Sequence, residues 1–416
     1  MDPDLFLNPY RPSAGHMPPH LAGRKVEQDD FRRLLSQPVI TENLILTGLR
    51  GVGKTVLLSH IKPLAAQSGW LWTGEDMTEQ SSLSEDRIAT RIITDLSAIL
   101  SPIFVHTQVD MPLGFTGAPI AKQKPVGYSD LEKIYNSTPG LVSDKLKAVL
   151  RQVGRMISTT KIKGIVFAYD EAQNMADHAV KDQFPLSLLL DVFQSVQRSP
   201  GGLPFMLVLT GLPTLFPKLI SARTYSERMF HTIFLDRLSD QDAKEAIVVP
   251  MQKENSPFRF DEATVDSIVR VSGGYPYFIQ FICREAFDVL LSKYIAKQET
   301  KVPFTVLLKK LDDDFFSGRW AAVSEPQRNF LAVVSQVPNC EGEFSVSDII
   351  KISGDVLDRP YSSSSVTQYL GRLADKGLVY RGSNGKYRFA VPLLSRFIKR
   401  QLENDANLPS PFRGAT

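Results

Sequence analysis

The stretch from Asn43 to Leu58, NLILTGLRGVGKTVLL, decides the fold. It opens with an apolar run typical of a buried strand, continues through Gly48-x-x-x-x-Gly53-Lys54-Thr55, and ends in apolar residues that begin a helix. Strand, glycine-rich loop and helix in this order are typical of a phosphate-binding loop. Glycine permits the positive φ angles and the close backbone approach that a phosphate chain requires. The stretch therefore predicts a nucleotide site at the start of a helix.

Each residue type in this loop has a predicted role. Backbone N–H groups are expected to face the phosphates, and Lys54 is expected to lie along the β- and γ-phosphate oxygens. The Thr55 hydroxyl is expected to complete the ligand shell of Mg²⁺. The alternative is a glycine-rich turn that matches by chance, and the flanking strand and helix argue against it. The predicted nucleotide contacts are Gly48, Arg50, Gly51, Val52, Gly53, Lys54, Thr55 and Val56.

Length and composition limit the class of protein. A chain of 416 residues suggests about two to three domains. Its 43% hydrophobic and 22% charged residues are typical of globular proteins, and no run approaches the roughly 18 apolar residues of a membrane span. The N-terminus lacks the pattern of a signal peptide, which predicts a cytoplasmic protein without membrane contact. The net charge of +3 requires any nucleic-acid affinity to come from a local patch.

A second informative stretch is 164–171, GIVFAYDE, an apolar run that ends in two carboxylates. Such a run predicts a central parallel strand, and ligands of open α/β sheets bind at the carboxyl ends of these strands. Asp170 fits a ligand of the magnesium ion, and Glu171 fits the base that orients the attacking water. Taken alone, such a pair is usually just solvated, but the upstream phosphate-binding loop favours the catalytic interpretation.

Two further polar residues are candidates for the same site. Thr210 ends the apolar run 203–209 and is predicted to contact the attacking water or the γ-phosphate; capping of the next turn is the alternative. Arg228, ahead of Arg223, is the candidate for an arginine finger that reaches the γ-phosphate of a neighbouring subunit. A surface salt bridge is the alternative interpretation for these arginines.

The C-terminal pattern predicts a winged helix. Three short helical patterns, at 327–334, 346–352 and 363–376, precede two alternating strands joined by an Asn-Gly turn. Eight Lys and Arg residues and one acid give the segment 372–400 a net charge of +7. This charge predicts contacts with duplex DNA, and packing of the domain on the rest of the chain is the alternative. The predicted DNA contacts are Arg372, Lys376, Arg381, Lys386 and Arg388.

Six motifs, taken in order, resemble the AAA+ and STAND superfamily of ATPases, with archaeal-type ATPases and origin-recognition initiators as the nearest likeness. The motifs are LxGRxxE, GLRGVGKT, VFAYDEAQ, LVLTGLP, SERMF and GGYPYFIQ. The resemblance implies an α/β fold: a P-loop NTPase parallel sheet flanked by helices, then a helical lid and a C-terminal winged-helix domain. The expected segments are a leader at 1–20, the ATPase core at 21–237 with a loop insertion near 101–140, the lid at 238–320 and the winged helix at 325–405.

The resemblance also implies site residues. Gly23 and Arg24 are expected beside the adenine, and Pro276 in the Gly-x-Pro turn is expected near the adenine or ribose, although a simple interhelix turn has the same sequence. Thr210 stands where initiators commonly carry Asn, and Arg284 is the candidate for the lid arginine. The implied activity is that of an ATP-operated switch that uses ATP and Mg²⁺ and assembles as a homo-oligomer or with a partner protein.

Three functions compete at this stage. The first is a DNA-associated ATPase that loads or regulates a partner. The second is a STAND-type signalling or antiphage-defence switch that oligomerises on ATP binding and uses its winged helix for packing. The third is a protein that holds nucleotide mainly for structure. The short C-terminal remainder, which leaves no room for a sensor-repeat array, favours the first.

Overall fold

The structure is a computed structural model that describes residues 7–13, 15–101, 104–108, 121–299, 301–382 and 384–404. These residues form two compact units. The sheet unit contains Lys25–Thr47 and Leu57–Phe234, and the helical unit contains the described residues up to Arg24, Gly48–Val56 and the described residues from Leu235 onward.

The sheet unit is built around a five-stranded sheet with the strand order β2-β5-β6-β1-β7. Two smaller pairs, β3 with β4 and β8 with β9, are antiparallel. The strands are β1 Asn43–Gly48, β2 Trp70–Thr73, β3 Phe104–Gln108, β4 Ala121–Pro125, β5 Gly164–Tyr169, β6 Phe205–Gly211, β7 Phe230–Leu235, β8 Val379–Arg381 and β9 Tyr387–Phe389.

Helices surround the sheet and form most of the helical unit. A π-helical turn, Asp312–Phe316, follows α12. The helices are α1 Lys25–Leu35, α2 Lys54–Gln67, α3 Glu85–Leu100, α4 Tyr128–Ser137, α5 Val142–Ser158, α6 Pro185–Arg198, α7 Leu215–Ala222, α8 Ser226–Met229, α9 Asp240–Lys253, α10 Glu262–Ser272, α11 Pro276–Ile295, α12 Phe304–Leu311, α13 Ser317–Ala321, α14 Glu325–Ser335, α15 Val346–Val356, α16 Ser363–Asp375 and α17 Leu394–Asn404.

The central strands are parallel and buried on both faces. In the register, Leu46 lies opposite Thr210, and Tyr169 lies opposite Leu209. Every residue of β1, β5 and β6 is buried, which explains why their sequences are continuous apolar runs rather than alternating ones. The carboxyl ends of these strands share one edge of the sheet. The predicted α/β fold with a parallel sheet is confirmed.

A buried polar network ties β1 to β6 and α6. The Asn43 side chain accepts from the Leu207 N–H at 2.8 Å and from Gln197 Nε2 at 2.8 Å. Gln197 Nε2 also donates to the Phe205 carbonyl at 2.7 Å. These bonds hold the start of β1 against β6. They also give each of these buried polar groups a hydrogen-bond partner.

The prediction of a long loop near 101–140 is wrong for most of the described residues in this range. Residues 104–108 and 121–125 pair as the antiparallel strands β3 and β4, and Tyr128–Ser137 is the helix α4. Residues 109–120 lie outside the described residues. The sequence hid this hairpin because Pro112, Pro119 and Pro125 read as turn signals.

One hydrophobic core runs through the helical unit. It extends from Tyr10 in the predicted leader, through α9 to α11, to Phe397 in α17. The leader has no helix or strand among its described residues, yet Tyr10 is buried in this core, which the sequence did not predict. The boundaries of separate lid and winged-helix domains stay a prediction.

The winged helix has the predicted elements. The helices α14, α15 and α16 precede the strands β8 and β9, and Phe344 forms an antiparallel bridge with Tyr387. The two bridge bonds, 2.9 Å and 2.8 Å long, add a third short strand to the wing. Within the described part of the chain, no helix is both long and apolar enough to cross a membrane.

We predict that Asn43→Ala lowers the free energy of unfolding by about 2–3 kcal/mol, because the buried Leu207 N–H and Gln197 Oε1 lose the partners that Asn43 provides. Urea unfolding followed by circular dichroism measures this loss. The matched control is Asn136→Ala on the exposed surface of α4, which is expected to change stability by less than about 0.5 kcal/mol. Equal effects of the two variants would contradict the role of the network.

Candidate nucleotide-binding and DNA-binding sites

The loop from Leu49 to Gly53 connects β1 to α2 and has the backbone that the sequence predicted. Gly51 has φ +78° and Gly53 has φ +92°, in the region that residues with a Cβ rarely adopt. A Cβ on Gly48 would lie 2.4 Å from the Leu235 carbonyl oxygen. Glycine is therefore required at Gly48 for close packing and at Gly51 and Gly53 for the turn.

Lys54 begins α2 and is 8% exposed. Its Nζ donates to the carbonyl oxygens of Gly48 and Leu49, each at 2.9 Å. The ammonium group is thereby held against the loop backbone, at the end of a helix where the dipole favours anions.

Arg24 is a buried residue that fixes the same loop. Its Nη2 donates to the Val52 carbonyl at 3.0 Å and to the Asp236 carbonyl at 2.7 Å. Gly23 has φ +62°, and a Cβ there would lie 2.6 Å from Cγ of Asp242. The structure thus places the predicted Gly23-Arg24 pair beside the loop, with the guanidinium on backbone carbonyls. Contact with the adenine stays a prediction.

The start of α11 also contacts the loop. Pro276 is the first residue of this helix, and the next residue, Tyr277, donates its N–H to the Gly51 carbonyl at 3.1 Å. The Cβ of Tyr277 lies 3.0 Å from the position that a Cβ on Gly51 would take. The Gly-x-Pro turn is therefore adjacent to the predicted phosphate-binding loop, as the sequence order suggested.

The sequence did not single out Arg319, which lies on α13. Burial and the positive charge of Arg50 lower the pKa of the Arg319 guanidinium. Its Cζ stands 4.4 Å from the centre of the Phe315 ring, and it donates to the Phe315 carbonyl. Arg284, the lid arginine that the resemblance suggested, is instead exposed on α11, and its carbonyl accepts from Asn8. Of these two arginines, Arg319 is the one with an electrostatic interaction with the predicted phosphate-binding loop, through Arg50.

In the sheet unit, Asp170 is the residue after β5 and is 3% exposed. Its Oδ1 accepts from the Glu171 N–H at 2.8 Å, and its carbonyl accepts from the Met77 N–H at 2.8 Å. Glu171 has φ +51° and an exposed side chain that accepts from Gln173. The turn thus holds Asp170 inside the edge of the sheet and Glu171 at its surface.

A third carboxylate stands beside this pair. Burial, and then repulsion from Asp170 and Glu171, raise the pKa of Asp76 above its ordinary value. Asp76 was not among the site residues predicted from the sequence, although Glu75 and Asp76 follow β2 as Asp170 and Glu171 follow β5. In a parallel sheet, acids that follow two neighbouring strands meet at the same edge.

Thr210 is fully buried in β6, and its Oγ1 has no hydrogen-bond partner among the described residues. The alternative role of capping the next turn would need such a bond, so the structure does not support it. Arg223 makes two hydrogen bonds to Asp191, at 2.8 Å and 2.6 Å, as the surface salt-bridge alternative expected. Arg228 is exposed on α8, and its role as a finger stays a prediction.

The basic cluster of the winged helix is partly neutralised by acids from outside 372–400. Arg388 pairs with Glu343 at 3.2 Å, Arg396 with Glu341 at 2.5 Å, and Arg400 Nε bonds Asp312 at 2.8 Å. These arginines pack the domain rather than present free charge.

Four other basic residues of the cluster are exposed and have no ion pair in the described part of the chain: Arg372, Arg381, Lys386 and Lys399. Lys376 is also exposed, but its Nζ donates to the Ala322 carbonyl at 2.6 Å and to Gln327 at 3.1 Å. Of the five predicted DNA contacts, three are therefore free to meet phosphate, while Lys376 and Arg388 are held by the protein.

Comparison with solved structures shows which known proteins have a similar architecture. The ADP form of the Aeropyrum pernix ORC2 protein matches with a TM-score of 0.53 and 13% identity, over 94% of this chain and 97% of that one. The same protein in its ADPNP-ADP complexes matches with a TM-score of 0.51 and 13% identity, over 93% and 95%. The chain has the fold of the origin-recognition proteins.

Other comparisons add less. The Aeropyrum pernix ORC1 protein, solved in complex with DNA, is similar with a TM-score of 0.43 and 14% identity, over 93% of this chain and 94% of that one. A family described as a domain of unknown function (DUF8462) matches residues 313–398, and no curated protein matches the chain. The comparisons give no support to the STAND-type alternative.

The structure assigns the residues of the predicted nucleotide site to two units. Lys54 and Thr55 belong to the helical unit, whereas Asp170 and Glu171 belong to the sheet unit. Their joint action on one magnesium ion stays a prediction.

We predict that Arg319→Gln weakens ATP binding about tenfold, because phosphate relieves the repulsion between Arg319 and Arg50 and gains a charge-assisted hydrogen bond. Calorimetric titration with ATP measures the affinity. The control is Arg284→Gln, an equal change of charge on the exposed surface of α11, which is expected to bind like the unmodified protein. Unchanged affinity of Arg319→Gln would rule out this contact.

Proposed function

We propose that this protein is an Mg²⁺-dependent ATPase that acts as a nucleotide-operated switch and associates with duplex DNA through its winged helix. The observation that carries the nucleotide part is the loop before α2. Its positive-φ glycines, Gly51 and Gly53, and the buried Lys54 at the helix start form the arrangement that cradles phosphates. The ADP and ADPNP-ADP forms of the similar ORC2 structures support a nucleotide as the ligand.

Several groups already hold this loop in shape. Arg24 bonds the Val52 carbonyl, Tyr277 bonds the Gly51 carbonyl, and Lys54 bonds the two carbonyls at the start of the loop. These contacts use the carbonyl groups of the loop, and phosphate is bound by N–H groups. A cradle that is fixed in advance lowers the entropic cost of binding.

Thr55 and Asp170 are the residues that we propose as protein ligands of the magnesium ion. The charge at the strand end supports this: burial, and then repulsion from Asp170 and Glu171, raise the pKa of Asp76 above its ordinary value. Carboxylate and hydroxyl oxygens are ligands that Mg²⁺ prefers. When bound, the ion neutralises charge on the phosphates.

Glu171 is the proposed base for the attacking water. Its side chain is exposed. Its backbone has a positive φ, so the chain turns away from the direction of β5 at this residue. Gln173 donates to the Glu171 carboxylate and accepts from the Leu212 N–H at 3.0 Å. This hydrogen-bond chain positions the carboxylate. Thr210 is the proposed contact of the γ-phosphate or the water, and Arg228 is the proposed finger in a homo-oligomer.

We predict that Glu171→Gln binds ATP normally but hydrolyses it at least about a hundredfold more slowly, because the amide cannot accept the proton of the attacking water. Lys54→Ala is expected to lose about a hundredfold in ATP affinity. Phosphate release and calorimetric titration separate these two effects. Glu254→Gln, an exposed acid at the end of α9, serves as the control. Normal turnover in Glu171→Gln would remove this residue from its role.

The DNA part of the proposal rests on the winged helix. The exposed face of α16 carries Thr367, Gln368 and Arg372, which are polar residues suited to a groove, and the wing carries Arg381 and Lys386. The buried face of α16, through Val366, Leu370 and Leu373, packs into the core. The helix is therefore fixed by its apolar side and presents its polar side to a partner.

We predict that the combined substitution of Arg372, Arg381 and Lys386 by Ala weakens binding to duplex DNA at every sequence tested and lowers the slope of log K against log salt by about 3. Fluorescence anisotropy at several salt concentrations measures both quantities. The control replaces Lys161, Lys301 and Lys309, three exposed lysines outside the winged helix, and is expected to keep the slope. Equal losses in both variants would show that only overall charge matters.

A further inference from the structure

The helix α5 carries a row of cations along one face. Lys147, Arg151 and Arg155 are spaced four residues apart, so they lie on successive turns of the same side. The two arginines are exposed and Lys147 is half-buried. At about 1.5 Å of rise per residue, the row is about 12 Å long. These three residues are called the α5 row below.

The opposite face of α5 fixes the helix in place. It packs with α3, α4 and α6 in the core of the sheet unit. Because the helix is held along its whole length, the row is presented to a partner without a cost for ordering the backbone. The buried residues are Leu146, Val149, Leu150, Val153, Gly154 and Ile157.

The charge of the α5 row is not neutralised by an ion pair in the described part of the chain, in contrast to three arginines of the winged helix. The one acid of α5, Asp144, accepts from the Leu141 N–H at 3.2 Å and caps the start of the helix. Asp191 on α6 interacts electrostatically with Lys147, but its ion pair is with Arg223, at 2.6 Å. The row therefore keeps its positive charge for a partner.

The end of α6 adds a further exposed cation, Arg198. Leu203 joins the C-terminal ends of α5 and α6. Its N–H donates to the Val196 carbonyl at 3.0 Å, and its Cδ2 lies 2.4 Å from the position that a Cβ on Gly154 would take. Arg155 and Arg198 thus lie at neighbouring helix ends, and the basic surface continues from α5 to α6.

The composition of this face favours a polyanion over a protein surface. Within 141–158, the only large hydrophobic residue that is exposed is Leu141, which precedes the helix. Protein interfaces, by contrast, have an apolar or aromatic centre and contain few lysines. Guanidinium groups bind phosphate oxygens through paired hydrogen bonds. One strand of duplex DNA has a phosphate every 3.4 Å or so along the axis, so the row spans about three to four phosphates.

We propose that the α5 row is a second nucleic-acid contact, which binds backbone phosphates of duplex DNA without reading the base sequence. This inference extends the DNA part of the proposed function to another surface. The row belongs to the sheet unit, whereas Arg372, Arg381 and Lys386 belong to the helical unit. The row is therefore expected to bind DNA even when these three winged-helix cations have been replaced.

The test is fluorescence anisotropy of the full chain with labelled duplexes of unrelated sequence at several salt concentrations. We expect the combined variant Lys147→Gln, Arg151→Gln and Arg155→Gln to bind at least about tenfold more weakly at low salt, with the slope of log K against log salt lowered by about 3. This loss is expected both in the unmodified protein and in the winged-helix triple variant. Circular dichroism checks that the helix content is kept.

Two controls separate the row from overall charge. The combined variant Lys62→Gln, Lys301→Gln and Lys309→Gln removes three exposed lysines elsewhere and is expected to keep the slope. Arg151→Lys with Arg155→Lys keeps the charge of the row and is also expected to keep the slope. An unchanged slope in the α5 variant, or an equal loss in the lysine control, would overturn the inference.

The location of the contact is tested by crosslinking. Both native cysteines, Cys283 and Cys340, are buried, so a surface cysteine can be labelled selectively. We expect a benzophenone on Gln152→Cys, within the row, to crosslink to duplex DNA, and the same label on Ser59→Cys, exposed on α2, not to do so. Absence of the Gln152→Cys crosslink at DNA concentrations that saturate binding would contradict the proposed contact.

The outcomes distinguish this inference from the proposed function. Loss of the slope in the winged-helix variant alone would overturn the α5 contact and leave the winged-helix contact standing; loss in the α5 variant alone would do the reverse. No binding of duplex DNA by the unmodified protein would overturn both. Vesicles of phosphatidylserine and phosphatidylcholine test the lipid alternative. An α5 variant that loses vesicle binding but keeps DNA binding would assign the row to anionic lipid and overturn the inference.

Discussion

The conformation of the loop between β1 and α2 depends on hydrogen bonds that neighbouring residues donate to the carbonyl groups of the loop. Arg24 bonds the Val52 carbonyl, Tyr277 bonds the Gly51 carbonyl, and Lys54 bonds the carbonyls of Gly48 and Leu49. Glycine alone would leave such a loop free to adopt many conformations, because it restricts φ so little. The contacts from outside the loop select one of them. The residues of the LxGRxxE and Gly-x-Pro motifs therefore act first on the shape of the loop.

Local net charge was an incomplete guide to the winged helix. The window 372–400 has a charge of +7, yet Glu341, Glu343 and Asp312 neutralise three of its arginines. Arg400 and Asp312 are 88 residues apart, so no window of ordinary length would include both. The paired arginines attach the wing and α17 to their neighbours, and the cations without an ion pair among the described residues lie on α16, the wing and α17. Packing and the proposed nucleic-acid contact are thus assigned to different residues of one domain.

The parts of the fold that the sequence predicted are those with a strong local pattern. The strands β1, β5 and β6 are continuous apolar runs, and α16 with its two strands has clear periodicity and an Asn-Gly turn. The hairpin of β3 and β4 was missed because its prolines indicate turns. Arg319 was missed because its position beside Arg50 depends on the fold of the whole helical unit. Glu75 and Asp76 could have been found, since they follow β2 as Asp170 and Glu171 follow β5.

The two edges of the central sheet differ in charge, and the direction of the strands explains why. At the carboxyl ends, Asp76, Asp170 and Glu171 gather carboxylates that favour a cation. At the amino ends, Glu42 precedes β1 and Lys163 precedes β5, so charges of both signs occur there. Peptide dipoles cannot produce this contrast alone, because they nearly cancel within sheets. Side chains placed just before or just after parallel strands therefore set the charge at each end of the sheet.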